Sequence, residues 1–182
     1  MKSLYFKKID AFATKNSNGN PAGYIKLKKQ SQLSKADKLK IGKELKGFVS
    51  EIGFISKKSK RKYELQYFSS EMEVDFCGHA TIAIMYDLFS ETESLKMIKS
   101  ITIITNKGEL LVQNRLKIDN SVFIMAPKPI YLDNDIDVKD IAINIGINDD
   151  DINFRFPISI INAGLTTLLI PIKALSTMMK IK

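Results

Sequence analysis

Polar and apolar positions alternate through Tyr63–Phe68, with Tyr63, Leu65 and Tyr67 set against Glu64, Gln66 and Phe68. That period of two predicts a strand. The pattern changes further on. From Ala80 to Phe89 only Thr81, Asp87 and the hydroxyl of Tyr86 are polar, and Ile82, Ala83, Ile84, Met85 and Leu88 leave no wet face of useful width. A helix apolar nearly all round is one that other elements enclose. Its N-terminus then opens inside the protein, where unpaired N–H groups and the helix dipole favour an anion.

Around this helix the pattern predicts a strand over Ser3–Ala13 and a second over Ala22–Leu27. Between them lies the polar turn KNSNGN, closed by Pro21; Asn-Gly and Asn-Pro are turn dipeptides. Ser34–Lys46 reads as a helix, with Ser34 and Asp37 placed for a capping box and Gly47 as the stop. Its apolar positions are sparse, which puts it on the surface. Phe48–Ile55 is almost continuously apolar apart from Ser50 and Glu51, as in a strand buried on both faces, with a carboxylate at its start. Ile101–Thr105 and Glu109–Gln113 flank the turn Asn106-Lys107-Gly108 and form a hairpin. Arg115–Asp119 and Ser121–Met125 read as a second strand pair.

Pro127 and Pro129 mark a boundary between residues 1–127 and 128–182. Past it the pattern predicts a helix over Asp137–Ile145 with Gly146 as its stop. Paired buried strands follow over Pro157–Asn162 and Thr166–Ile170, then a helix starting over Ala174–Met179. The second stretch is expected to be the incomplete start of a domain.

Composition narrows the class. The chain has 182 residues, 45% of them hydrophobic, with one cysteine and one histidine. No apolar run reaches the roughly 18 residues a bilayer span needs, and lysines interrupt any signal-peptide core near the N-terminus. The expected setting is the cytoplasm, with no membrane partner. One Cys and one His are too few for a structural zinc site. Residues 1–62 carry 17 of the 28 Lys/Arg and 4 of the 20 acidic residues. That asymmetry raises nucleic acid as a partner. Yet Arg61 is the lone arginine there, and the stretch shows neither a stacking platform of aromatics nor a nucleic-acid motif. No nucleic acid is expected.

The candidate chemistry gathers at the mouth of the apolar helix, where Cys77 and His79 flank Gly78. The order of motifs is informative. GNPA at Gly19–Ala22 precedes Ser50-Glu51 before a buried strand, then YELQYFSSEMEVDFCGHAT at Tyr63–Thr81 and KGEL at Lys107–Leu110. This order resembles the phenazine-biosynthesis PhzF-like family of isomerases, which has the diaminopimelate epimerase-like fold. The resemblance extends to the glycine-flanked strands around Gly164 and so covers nearly the whole chain.

The resemblance implies an α+β fold of two similar domains, each a curved mixed β-sheet or barrel wrapped around one central helix. It also implies proton transfer on a small carboxylic acid metabolite, without cofactor or metal. Glu51 takes the family's acid/base position. Gly78 and His79 take the substrate-contacting position at the helix N-terminus, with Asn20, Ser50 and Cys77 beside them. Proton transfer between carbons needs one group that takes the proton and returns it, and positioned donors for the enolate-like charge that develops. Cys77 stands where epimerase relatives of the fold keep a catalytic cysteine. With no second cysteine in the chain, a two-thiol racemisation is excluded. Cys77 then reads as a packing residue whose thiolate the helix end favours. Because family chains are longer, two alternatives stand. One is an isomerase completed by another subunit, implying a homo-oligomer. The other is a truncated, non-catalytic relative that binds a small acid or self-associates.

Overall fold

The computed structural model describes residues 3–181; Met1, Lys2 and Lys182 lie outside the described residues. The chain divides into two compact units, Met1–Pro127 and Lys128–Lys182.

In the first unit β1 (Phe6–Ala11), β2 (Asn20–Leu27), α1 (Lys35–Glu44), β3 (Glu51–Ser59), β4 (Lys62–Phe68), β5 (Glu73–Val74), α2 (Gly78–Glu91), β6 (Ser100–Thr105), β7 (Gly108–Arg115), α3 (Leu116–Asp119) and β8 (Ser121–Ile124) follow in order. They build one sheet in the order β1-β2-β3-β4-β6-β7-β8, with the short β5 paired to β4. Two neighbouring pairs, β2/β3 and β4/β6, are parallel. Parallel neighbours need long crossovers, and α1 and α2 lie on those two connections. Strands from both edges of the sheet, β1 and β8, touch α2, as do β2, β3 and β7. The sheet therefore curls around α2, an α+β architecture with an enclosed helix.

The alternation of side chains sorts this sheet into two faces. Ala22, Tyr24, Ile55, Tyr63, Leu65 and Tyr67 pack with Ala80, Ala83, Ile84 and Met85 of α2. Ile25, Leu27, Ile52, Phe54 and Phe68 form a second cluster with Leu39 and Ile41 of α1. Covered on both faces there, β3 is apolar without a break from Ile52 to Ile55. Gly53 faces α2 closely, since a Cβ there would stand 2.3 Å from Ile84 Cδ1. The buried carboxylate of α2, Asp87, accepts hydrogen bonds from the Tyr24 hydroxyl and the Lys7 ammonium.

The helix α1 starts as the sequence predicts. The Ser34 side chain accepts from the Asp37 N–H, and Asp37 accepts from the Ser34 N–H. Its surface placement needs one correction, because Lys38 is only 3% exposed. Lys38 Nζ donates to the Gln30 carbonyl oxygen, Gln30 Oε1 and Gln66 Oε1 at 3.0, 2.9 and 2.7 Å, which uses all three ammonium protons. Burial lowers its pKa. A second correction falls on Arg115–Asp119: Arg115 ends β7, and Leu116–Asp119 is a single helical turn rather than a strand. Asn114 Oδ1 accepts from the Leu116 N–H at 3.2 Å, Arg115 pairs with Asp119, and Asn120 takes a left-handed conformation to start β8.

The second unit contains β9 (Ile130–Leu132), α4 (Val138–Ile145), β10 (Ser159–Asn162), β11 (Thr166–Leu169) and the single turn α5 (Leu175–Met178). Its strands are antiparallel in the order β11-β10-β9. Asp137 caps α4 by accepting from the Lys139 N–H at 2.9 Å, and Gly146 ends it at φ 73°. The expected buried strands are otherwise. β10 is half-buried and β11 is exposed, with Leu168 and Leu169 at 39% and 46%. Ile141, Ala142 and Ile152 are the buried apolar side chains of this unit.

Candidate functional site

The corner is built where β3 starts beside the N-terminus of α2. The turn before β2 is held by Gly19 at φ 73°, where any Cβ would meet the Ala11 carbonyl oxygen at 2.4 Å. Asn20 follows as the first residue of β2. Ala22 pairs in parallel with Glu51. Just ahead of that pair, the Ser50 N–H donates to the Pro21 carbonyl at 3.0 Å, and the Ser50 hydroxyl donates to Asn20 Oδ1 at 3.0 Å. Glu51 has the same parity along β3 as Gly53 and Ile55, so its carboxylate lies on the α2 side of the sheet.

From the other side, α2 begins at Gly78 with Cys77 as its N-cap residue. No side chain caps the helix; its first turn is tied instead through Thr81. Thr81 Oγ1 donates to the Cys77 carbonyl at 2.6 Å and shares a 2.6 Å hydrogen bond with the buried Tyr67 hydroxyl. Gly78 has no positive φ, and a Cβ there would meet only the edge of Phe76, at 3.9 Å. The backbone therefore does not demand glycine at this position. What glycine provides is open space against the first N–H groups of the helix.

The two elements meet at His79. Its Nε2 stands 3.2 Å from Glu51 Oε2, and its Nδ1 stands 3.4 Å from Cys77 Sγ. The first contact is close but out of line for a hydrogen bond. Glu51 Oε2 and His79 Nε2 are thus both buried atoms without a hydrogen-bonding partner among the described residues. Buried polar atoms are almost always paired, and two unpaired ones facing each other call for an explanation.

Burial holds the His79 imidazole below its ordinary pKa, against the opposing pull of Glu51 and of the Pro21 carbonyl. Burial also pushes the Cys77 thiol up to about 12, although the Ala80 and His79 N–H groups work the other way. The expectation that the helix end favours a thiolate is therefore corrected. Desolvation outweighs the dipole, and Cys77 is a protonated thiol at neutral pH. If the thiol donates to Nδ1, the neutral imidazole carries its own proton on Nε2, on the Glu51 side.

All six residues singled out in the sequence fall in this neighbourhood. Glu51, His79 and Cys77 form one contiguous group, Gly78 opens it, and Asn20 and Ser50 bond to each other at its edge. Three supporting residues were missed. Tyr67 and Thr81 tie down the first helical turn, and the Pro21 carbonyl faces the imidazole. A threonine at the fourth position of a helix whose N-cap offers only a carbonyl was the available signal for Thr81.

A sheet curled around one apolar helix is the epimerase-like fold. The same fold occurs in a predicted epimerase from Pseudomonas aeruginosa, which superposes on 94% of this chain with TM-score 0.72 at 18% identity, using 60% of its own length. Residues 9–182 match the family model described as phenazine biosynthesis-like protein, PhzC-PhzF, and the chain belongs to that family. A phenazine biosynthesis protein of the PhzF family from Bacillus anthracis covers the whole chain with TM-score 0.72 and 27% identity, over 60% of its own length. The Bacillus subtilis protein named uncharacterized isomerase YfhB is 33% identical over 182 residues, 99% of this chain and 60% of its own. The chain thus spans about three fifths of the length of these relatives.

Proposed function

We propose that this chain carries the acid/base half of a cofactor-independent isomerase, with Glu51 moving a proton between carbons of a small carboxylic acid. The observation that carries this reading is the unpaired Glu51 Oε2 facing an unpaired His79 Nε2 at 3.2 Å, beside the open N-terminus of α2. A carboxylate oxygen without a bonded proton donor is free to take a proton from carbon and hand it back. The substrate carboxylate, or the enolate-like charge next to it, belongs at Gly78, where the first helix N–H groups have no internal acceptor. His79 Nε2–H is placed to donate to a substrate oxygen bound beside Glu51. Asn20 and Ser50 border the same space and supply side-chain oxygen and nitrogen for orientation. Relatives reach well past this chain in length, so the complete reaction, its substrate and its second wall are part of the proposal.

The test is hydrogen exchange. In deuterated water, a panel of β,γ-unsaturated and α-amino acids is incubated with the chain and followed by mass spectrometry and proton NMR. Deuterium should enter carbon for at least one acid, and Glu51→Gln, folded by circular dichroism, should abolish the exchange. Exchange that survives Glu51→Gln would remove Glu51 from the role. No exchange with any acid would favour a relative that binds acids without turning them over.

A further inference from the structure

We propose that Glu51, Cys77 and His79 together form a three-donor site for a thiophilic divalent cation of the zinc class. Counting only cysteine and histidine excludes a closed structural site, but the fold adds a carboxylate. One donor atom from each of the three residues lies within 4.8 Å of the other two. Thiolate, imidazole and carboxylate are the donors zinc takes, at about 2.3, 2.0 and 2.1 Å. Tetrahedral geometry with those lengths puts nitrogen and oxygen about 3.3 Å apart, and His79 Nε2 and Glu51 Oε2 are 3.2 Å apart. A separation that is out of line for a hydrogen bond thus matches the edge two ligands would make around one ion. Both atoms are buried and unpaired, so a cation arriving there breaks no hydrogen bond of theirs, and only the Cys77 Sγ–His79 Nδ1 contact gives way. Binding replaces the Cys77 S–H bond with a metal–sulfur bond, places the imidazole proton on Nδ1 so that Nε2 is free to ligate, and releases one proton to water, with no change of oxidation state. Three protein ligands leave a fourth position open, the pattern of an accessible rather than a structural site. Occupancy takes the same carboxylate as the proposed proton transfer, and that inhibitory consequence alone rests on the isomerase reading.

The probe is cobalt(II) chloride added to the full chain, followed by absorption spectroscopy, with zinc chloride then used to displace it. Cys77 is the sole cysteine, so a near-ultraviolet thiolate-to-cobalt band has one possible source. We expect that band at one cobalt per chain, together with the intense visible absorption of four-coordinate cobalt, and loss of both on adding zinc. Cys77→Ser should remove the band. Glu51→Gln and His79→Asn, each checked for folding, should weaken zinc binding at least about tenfold. No thiolate band at saturating cobalt overturns the proposal. A band whose affinity is unchanged in both Glu51→Gln and His79→Asn overturns it too, as it would mean the thiol binds alone. No step of the experiment involves turnover, so its failure leaves the proton-transfer reading standing and failed deuterium exchange leaves the metal site standing.

Discussion

Gly53→Ala tests whether the approach of α2 to β3 sets the corner. The added Cβ would stand 2.3 Å from Ile84 Cδ1, closer than carbon atoms pack, and Ile84 is 1% exposed and has little room to turn. Overpacking of a core by one methyl costs about 1–3 kcal/mol. Replacing glycine inside a strand returns about 0.5–1 kcal/mol through the unfolded chain, leaving a net loss of roughly 0.5–2 kcal/mol. With a urea m-value of about 2 kcal/mol/M, the midpoint should fall by about 0.25–1 M at unchanged m. Ile84→Val deletes the clashing atom and alone costs about 0.5–1.5 kcal/mol. The double variant should then be more stable than the sum of the singles. The sole histidine reports on the site in the same samples. Burial holds its pKa below the ordinary 6.5, and a lifted helix in Gly53→Ala should return its NMR titration midpoint toward that value. The reasoning is refuted if the two substitutions add within about 0.5 kcal/mol, or if Gly53→Ala is as stable as the parent.

The His79 pKa has a sign for stability as well. Its folded value lies below the ordinary 6.5, so as pH falls the unfolded chain takes the proton first. The stability at stake is whole above about pH 6.5 and is lost as pH falls through the folded midpoint. Urea midpoints between about pH 7.5 and 5 should show that slope, and His79→Gln should flatten it. With its thiol pushed up to about 12, Cys77 in the native chain should react with iodoacetamide at pH 8 at least about a hundredfold more slowly than in the urea-unfolded chain; equal rates would contradict its burial. Asp87→Ala leaves the buried Tyr24 hydroxyl and the Lys7 ammonium without their shared acceptor. It should cost about 2–4 kcal/mol in urea unfolding, less in a Tyr24→Phe background where one orphan is already gone.

What the sequence revealed depended on whether a pattern was local. The enclosure of α2 was legible because its residues are apolar on every side, and the Ser34–Asp37 cap because both partners lie within one turn. Glu51 stood out because a carboxylate interrupted an apolar run, and parity along β3 then placed it on the α2 face. Three features depended on distant or competing contacts. Lys38 reads as a surface lysine until Gln30 and Gln66 arrive from other segments to take its protons. Leu116 and Ile118 alternate with Lys117 as a strand would, but the Asn114 side chain and the Arg115–Asp119 pair close a helical turn instead. Hydropathy placed β10 and β11 in a core, yet burial requires a covering surface, and β11 has none among the described residues. The thiolate expectation for Cys77 weighed the helix dipole and omitted the desolvation that only packing reveals.

The pairing of β3 with β2 has a bearing on how such a site withstands mutation. A slip of one residue would exchange the two sides of β3, turning Glu51 toward α1 and sending Ile52 into the corner. The side facing α1 holds Ile52 and Phe54 at 0% exposure, walled by Leu39 and Ile41, where an ionised group would find no water. Misalignment is therefore penalised by a hydrophobic layer that never touches the chemistry. The address of the acid is proofread from behind, by residues a substrate would not meet.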